Sequence, residues 1–566
     1  MAAAEDAEVR AQPEAPSPDK ARAAIKAEPS KSAVGGQGRK APASPKALTP
    51  PPPGKGTKKR AQEPWLKYSF ELTPRYFVGV NDINHTALHP ESGERSFSHY
   101  LAPIVDSDYA SLYLFAGLQF PYRFSHHSGS AHVELDTGEI YRGSVTTTDE
   151  TSGASTEEEA FLSNEQTLWD EFEQTYFIRQ LYLEHSFGAG KHLNIAIGRG
   201  NPVIAQGLVY NDYSPFARVR LSSGKAWTHP LQLDLTLVAP SDGFVPEESV
   251  IGNLELALKH KSLGRLSLFF AHLKDRADSA AESFRQVITS AVQTGGRTER
   301  SLVSGRMFAF NRLTTFSSTS DVSWVGAGYR KYWSSGHSVW MNGCLNFGTA
   351  EVVMDVSAFL VAAGRGRNRP RRDISGDIEV DLDVNGAAGQ AGGSLFLSGD
   401  WYLSGFAVAM TGDKGLSGLS DFFQSGLENG EVSERFGAFM SVVPYLEHTS
   451  IFFNGGLDQG FSNRRNALAG IAGRGVLAAG LSVSGTIWGP VSFVGGPALL
   501  QAMHEGPHGL GKLYGVEFDH ILTVSLGTGL SASLEVDLLH TGDFFPESAW
   551  NSQTTVQISY APTGQL

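Results

Sequence analysis

Across residues 513–560 apolar and polar side chains alternate with a period of two. Leu530, Ala532, Leu534, Val536 and Leu538 share one parity, and Ser531, Ser533, Glu535 and Asp537 share the other. That is the spacing expected where successive side chains point to opposite faces of a sheet. Before it, Tyr514, Val516, Phe518, Leu522, Val524 and Leu526 oppose Gly515, Glu517, Asp519, Thr523 and Ser525, and Gly527-Thr528-Gly529 predicts a tight hairpin between the two runs. Val556, Ile558 and Tyr560 against Thr555, Gln557 and Ser559 close the chain. These runs exceed the roughly 5–6 residues common in soluble strands and reach the roughly 9–11 that cross a bilayer. They predict an all-β fold: a single antiparallel transmembrane β-barrel, apolar toward lipid and polar toward a wet interior.

The same pattern recurs upstream. Phe177–Phe187 and His192–Ile197 flank Gly188-Ala189-Gly190 and predict a hairpin, with Gln180, Tyr182 and Glu184 opposed to Leu181 and Leu183. Leu231–Leu237 and Leu254–Lys259 alternate without a break, and Leu266–His272 pairs with the latter through Gly264. Val339, Met341, Gly343, Leu345 and Phe347 alternate with Trp340, Asn342, Cys344 and Asn346, so Cys344 is a small interior-facing residue. Further strands are expected over 67–80, 110–124, 394–410, 435–447, 472–487 and 490–502, for a total of about 18 within a bracket of roughly 16–20. Long loops belong outside the cell and short turns in the periplasm.

Three stretches break the alternation. Residues 1–64 are rich in Ala, Pro, Lys and Ser and predict a disordered periplasmic tail ahead of a barrel over 65–566. Residues 145–172, with Asp149, Glu150, Glu157, Glu158 and Glu159, read as a solvated acidic extracellular loop rather than a cation site. Over 279–293, Phe284, Val287, Ile288, Ala291 and Val292 fit helical spacing, and the insertion spanning 277–320 is a candidate plug, lid or outward loop.

Composition narrows the function. There is no apolar run of about 18 residues, so any crossing is by strands. With one Cys there is no intrachain disulfide. The formal charge is −13, but residues 1–60 hold 12 Lys+Arg against 6 Asp+Glu, leaving −19 on the rest. A body this acidic is not expected to take nucleic acid. Met1-Ala-Ala-Ala-Glu5-Asp6 has neither the basic start nor the apolar centre of a signal peptide, so the sequence is expected to be a mature form or to have a mis-set start. No cluster has metal-ligand spacing and no cofactor is expected. His185, His260, His272 and His520 have no Ser or Asp partner by spacing and no nucleophile elbow is present, so an enzyme such as an outer-membrane lipase is the weakest reading.

The strongest charge signal is local. Arg365, Arg367, Arg369, Arg371 and Arg372 form a basic loop, followed by Asp377, Glu379, Asp381 and Asp383 on alternate positions of one strand. Four carboxylates on one face fit neither lipid nor a dry core, because burying unpaired charge is too costly. They are expected in the lumen, where opposed charge selects solutes by size and dipole.

The chain resembles the alginate-export-type family of outer-membrane barrels. The resemblance rests on Arg179-Gln-Leu-Tyr-Leu-Glu184, Ile195-Ala-Ile-Gly-Arg199, Gly473-Arg474-Gly475, Leu513-Tyr-Gly-Val-Glu517 and His540-Thr-Gly-Asp-Phe-Phe545, spread patchily over 170–560. It implies a monomeric porin-like channel of about 18 strands passing a polar or anionic solute, an anionic polysaccharide included, through an Arg/Lys-lined constriction. Arg179, Arg199 and Arg474 are the positions it points to. Arg199 shares the parity of Leu193, Ile195 and Ile197, so a bulge permitted by Gly198 and Gly200 is expected there. The many carboxylates, and Ala561–Leu566 trailing past Tyr560, differ from the family pattern. The alternative is a plugged barrel acting as an adhesin or surface scaffold.

Overall fold

The computed structural model describes residues 64–80, 104–124, 127–149, 154–158, 178–188, 192–211, 213–223, 230–240, 249–276, 315–355, 377–414, 431–442, 449, 451–453, 468–506, 510–545 and 548–565. Eighteen strands form the wall: β1 (Lys67–Val80), β2 (Ile104–Phe124), β3 (His127–Asp149), β4 (Ile178–Phe187), β5 (Leu193–Gly200), β6 (Ser214–Ser222), β7 (Leu231–Val238), β8 (Val250–His260), β9 (Gly264–Asp275), β10 (Thr315–Tyr332), β11 (Ser338–Asp355), β12 (Asp377–Ser398), β13 (Trp401–Met410), β14 (Val476–Trp488), β15 (Val491–Gln501), β16 (Leu513–Gly527), β17 (Leu530–Thr541) and β18 (Trp550–Tyr560). Each pairs antiparallel with the next and β18 pairs with β1, so the sheet closes on itself and leaves no edge. Short connections alternate with long ones. All the short turns lie at the end where β1 begins and β18 finishes, and the long connections lie at the other.

The outward face is set by the period of two. Val219, Leu235, Leu254, Phe270, Val325 and Leu345 are mutual cross-strand partners across β6–β11, and each is 36–56% exposed. Such a girdle of exposed aliphatic side chains needs lipid to cover it. At the short-turn end it is bordered by exposed aromatics, among them Phe124, Tyr332, Trp333 and Trp488. The molecule is a membrane-spanning β-barrel.

Several expectations needed revision. Residues 127–149 form a full wall strand, and the stretch read as an acidic loop from 145 begins on it: Val145–Asp149 pairs with a short strand at Ala154–Glu158. The single run expected over 394–410 is the end of β12, a turn at 399–400, and β13. Residues expected as a wall strand over 435–447 do something else. Glu431–Phe436 runs parallel to β12, extending the wall above the short β13, and the chain then turns inward. Tyr514 does not face lipid with Val516. The ladder to β15 passes from Leu500↔Gly515 to Gln501↔Leu513, leaving Tyr514 in a bulge that turns it into the interior. The 1–64 tail up to residue 63, and the helix expected over 279–293, lie outside the described residues.

Two arms from the long-connection end fold into the barrel. One is the hairpin at 201–213 between β5 and β6, with strands Val203–Ile204 and Tyr210–Asn211. The other comes from the 411–475 connection between β13 and β14. Its Phe436, Phe439, Met440, Phe452 and Phe453 are fully buried and pack in one cluster with Val322, Trp324, Val352, Val380 and Leu382 of the wall. The Trp324 Nε1 donates to the Met440 carbonyl at 2.8 Å. Gly386 of β12 permits the approach, because a Cβ there would stand 2.6 Å from the Phe439 backbone.

Candidate functional site: the lumen beneath the two arms

On β6, Arg218 and Arg220 point inward between the lipid-facing Val219 and Leu221. Arg220 forms a two-pronged bond to Asp234 of β7, at 2.7 and 3.0 Å, and Gln232 donates to the same carboxylate at 2.7 Å. Further round, Arg265 of β9 bonds Glu255 of β8 at 2.9 Å. Arg265 stands directly across from Arg330 of β10. These four arginines and two carboxylates line one sector of the interior wall. Planar guanidinium groups with several donors suit it to bind oxyanions in passing.

Against this sector lies the tip of the 201–213 hairpin. The Ala205 carbonyl accepts from Asn342 Nδ2 of β11, the Gln206 carbonyl accepts from Gln390 Nε2 of β12 at 3.4 Å, and the Gln206 Oε1 accepts from Arg330 Nη2 at 3.4 Å. The hairpin leaves the wall between β5 and β6 and is fastened at β10–β12, so it crosses the lumen. Ala205 and Gln206 sit at φ 56° and 53°, a backbone region that costs residues with a Cβ about 1–3 kcal/mol each unless surroundings impose it. The wall contacts impose it here. The hairpin is tied to the second arm by the Val442 N–H, which donates to Val209 O at 2.9 Å.

Of the arginines singled out in the sequence, Arg179 and Arg199 come together. Arg199 pairs with Leu181 on the adjacent strand, two residues from Arg179, and both are over 90% buried. A register shift between Glu134 and Leu135, opposite Gln180 and Ile178, turns Arg179 inward. Its guanidinium lies 4.4 Å from the Tyr213 ring at the hairpin base. Burial chiefly, eased by Arg179, pushes the Tyr213 phenol up to about 12. The expected irregularity at Arg199 is a backbone twist: Gly198 is at φ 139°, where a Cβ would meet the Leu181 carbonyl at 2.2 Å. Arg474 sits apart, after the turn Ile471–Gly473 in the second arm, donating to Asp413 O at 3.3 Å. Burial lowers its pKa, with Asp413 and Tyr514 opposing.

The opposite sector, β16–β17, is acidic. Glu517, Glu535 and Asp537 are at most 1% exposed, and Asp519 stands across from Asp537. Glu517 accepts the backbone N–H groups of Ile451 and, at 3.0 Å, Phe452, so it seats the second arm. Tyr514 helps, accepting from Ile471 N at 3.2 Å and donating to Gly475 O at 3.0 Å.

Three of the carboxylates placed in the lumen from sequence, Glu379, Asp381 and Asp383, are not there. On β12, Ile378, Val380, Leu382 and Val384 are the buried, inward residues, while Glu379, Asp381 and Asp383 share the parity of the lipid-facing Leu395 and Leu397. The physical reason is height. The strand has 22 residues, about twice what a bilayer needs, so its first half stands above the lipid with water outside and a dry arm inside. Asp377 begins the strand, its backbone paired with Asp355. Arg365, Arg367, Arg369, Arg371 and Arg372 lie outside the described residues. The missed lumenal groups were legible: Arg218 and Arg220 alternate with Val219 and Leu221 as Glu535 and Asp537 do with Leu534 and Val536.

Three of the histidines singled out from sequence meet hydroxyls: His185 Nδ1 lies 2.9 Å from the Tyr122 hydroxyl and His260 Nδ1 3.0 Å from Ser262 Oγ, and one of the three also has a carboxylate near it. His272 Nδ1 lies 3.1 Å from Ser323 Oγ and 3.8 Å from Asp321. Both contacts fall on the same ring nitrogen, so the carboxylate does not orient the ring for general-base work on the serine.

No family model matches the chain, and no curated relative matches it. Solved structures that are similar to it include the Pseudomonas aeruginosa outer membrane protein OprD (TM-score 0.42, 9% identity, 88% of this chain and 94% of that one). OpdQ from the same organism is similar at TM-score 0.41 and 10% identity, covering 88% of this chain and 99% of that one. So is its OccK5 (OpdH), at TM-score 0.40 and 9% identity, covering 88% and 98%. Closure and strand count rest on this chain's own strand pairing.

Proposed function

We propose that this chain is an outer-membrane channel through which polar and charged solutes pass passively, with the long connections facing the cell exterior. The observation that carries the reading is the strip of Arg218, Arg220, Arg265 and Arg330 with Asp234 and Glu255 on the inner face of a wall whose outer face is aliphatic. A hairpin fastened across that strip sets the width of the path. Arg179 and Arg199 stand at its root and extend the basic lining. An anionic polysaccharide or smaller anion is the cargo this lining favours, with Asp234 and Glu255 holding the guanidinium groups in place rather than competing for solute. The channel acts as a monomer in lipid, without a cofactor.

The test is conductance of the full chain in planar bilayers. Steady single-channel current is expected, and replacing Asn342 and Gln390 by Ala, which frees the hairpin tip, raises it about twofold or more. Each lost hydrogen bond weakens the fastening by about 1 kcal/mol. One observation favours a second reading: the apolar cluster joining the second arm to β10–β12 is as dry as a protein core. If the wild-type chain carries no current and removing 436–475 restores it, the protein is a plugged barrel serving as a surface scaffold.

A further inference from the structure

The outer wall carries a feature that solute passage does not use. Register places Lys274, Asp321, Thr349, Asp383 and Arg435 side by side in one transverse row across β9–β12 and the 431–436 strand. The row above continues it with Thr319, Glu351, Asp381 and Ser433. Apart from Arg435, which stands beside Asp383 at the end of the row, these side chains line a groove of about 750 Å³ on the outward surface, with Arg276 next to Lys274. The row below holds His272, Ser323, Phe347 and Asn385, and Phe347 is 48% exposed with the aliphatic girdle beneath it. The charged row thus begins about 7 Å along the strand above the last lipid-facing aromatic. That is where lipid headgroups meet a barrel wall.

The charges have an order. A cation stands at each end of the row, roughly 19 Å apart at about 4.8 Å per strand, with carboxylates and a hydroxyl between. Asp383 and Arg435 are 66% and 80% exposed and 4.0 Å apart, so the end of the row is open to a partner. A simple anionic phospholipid would meet the carboxylates with its own charge. A sugar that carries its phosphates at its ends would not: ammonium and guanidinium groups form charge-assisted bonds to phosphate, and ionised carboxylates accept from hydroxyls. We propose that this groove seats the phosphorylated sugar headgroup of a glycolipid in the outer leaflet. Lys274 and Arg435 hold the phosphates, and Asp321, Glu351, Asp381 and Asp383 accept hydrogen bonds from the sugar hydroxyls. The proposal rests on the orientation given under the proposed function, with the long connections outside.

The test uses the full chain in detergent, titrated with a bis-phosphorylated glucosamine-disaccharide glycolipid and followed by native mass spectrometry. The same lipid stripped of phosphate, and phosphatidylglycerol, serve as comparators. The phosphorylated glycolipid is expected to give stable one-to-one adducts, and the Lys274→Ala/Arg435→Ala pair to weaken them about tenfold or more. Asp381→Asn/Asp383→Asn removes acceptor charge at exposed positions and is expected to lower discrimination against phosphatidylglycerol. Equal binding of all three lipids, or no effect of the cation pair, would overturn the proposal. Conductance decides the channel reading separately: absent current with retained glycolipid adducts sinks that reading and leaves the headgroup seat standing.

Discussion

β17 and the first half of β12 are written alike and face opposite ways. On β17, Glu535 and Asp537 are buried in the lumen and Leu534 and Val536 point out. On β12, Val380, Leu382 and Val384 are buried and Glu379, Asp381 and Asp383 point out. Neither strand breaks the period of two. What differs is the pair of solvents on the two sides of the sheet. β17 has 12 residues and lies against acyl chains, so its aliphatic face goes outward. The far half of β12 has water outside and the Phe436–Phe453 arm inside, so its aliphatic face goes inward. The switch happens within one strand: Leu395 and Leu397, lower on β12, are over 50% exposed on the same side as the carboxylates. Alternation fixes that there are two faces, and height above the membrane decides which is which.

Three expected outcomes sharpen the contrast, taken from the largest effect to the smallest. Replacing Trp324 by Ala removes a fully buried indole from the join between wall and second arm, together with its bond to Met440 O. The arm is expected to lose about 3–5 kcal/mol of docking, read as faster proteolysis within 436–475 while the barrel stays folded. An unchanged cleavage rate would mean that the apolar cluster does not hold the arm. Next, arginine at Leu534 on β17 is expected to cost about 2–4 kcal/mol of folding into vesicles, and arginine at Asp381 on β12 close to none. Equal costs would put both strands at one depth. The smallest effect concerns selectivity. Glu535→Gln/Asp537→Asn is expected to move the reversal potential toward anions, because the lumen loses fixed negative charge, whereas Glu379→Gln/Asp381→Asn/Asp383→Asn leaves it where it was. A shift from the β12 set alone would return those carboxylates to the pore.

The legibility of the chain follows the same division. The closed barrel, the short turns and most strands were visible from alternation, as at Leu231–Leu237, Leu254–Lys259 and Leu530–Leu538. β3 is hidden in the sequence because the Thr- and Ser-rich residues at its far end look like a loop once they rise above the lipid. The inward arms were not legible, since Phe439, Phe452 and Phe453 lie in no periodic run and their partners are far away in sequence. The hairpin tip was hidden for a different reason: Ala205 and Gln206 adopt a conformation their residue types do not advertise. Only the family resemblance marks Arg179 and Arg199, since parity alone sets both toward lipid. A bulge and a twisted glycine reverse them.

The orientation of β12 can be measured directly with nitroxide spin labels on Val380→Cys, Asp381→Cys and Leu395→Cys, each in a Cys344→Ser background and reconstituted in vesicles. Oxygen partitions into lipid and a water-soluble nickel chelate stays outside it. The label at 395 is expected to be relaxed by oxygen, the label at 381 by nickel, and the label at 380 by neither. Relaxation of the 380 label by oxygen, with the 381 label facing the lumen, would contradict this orientation.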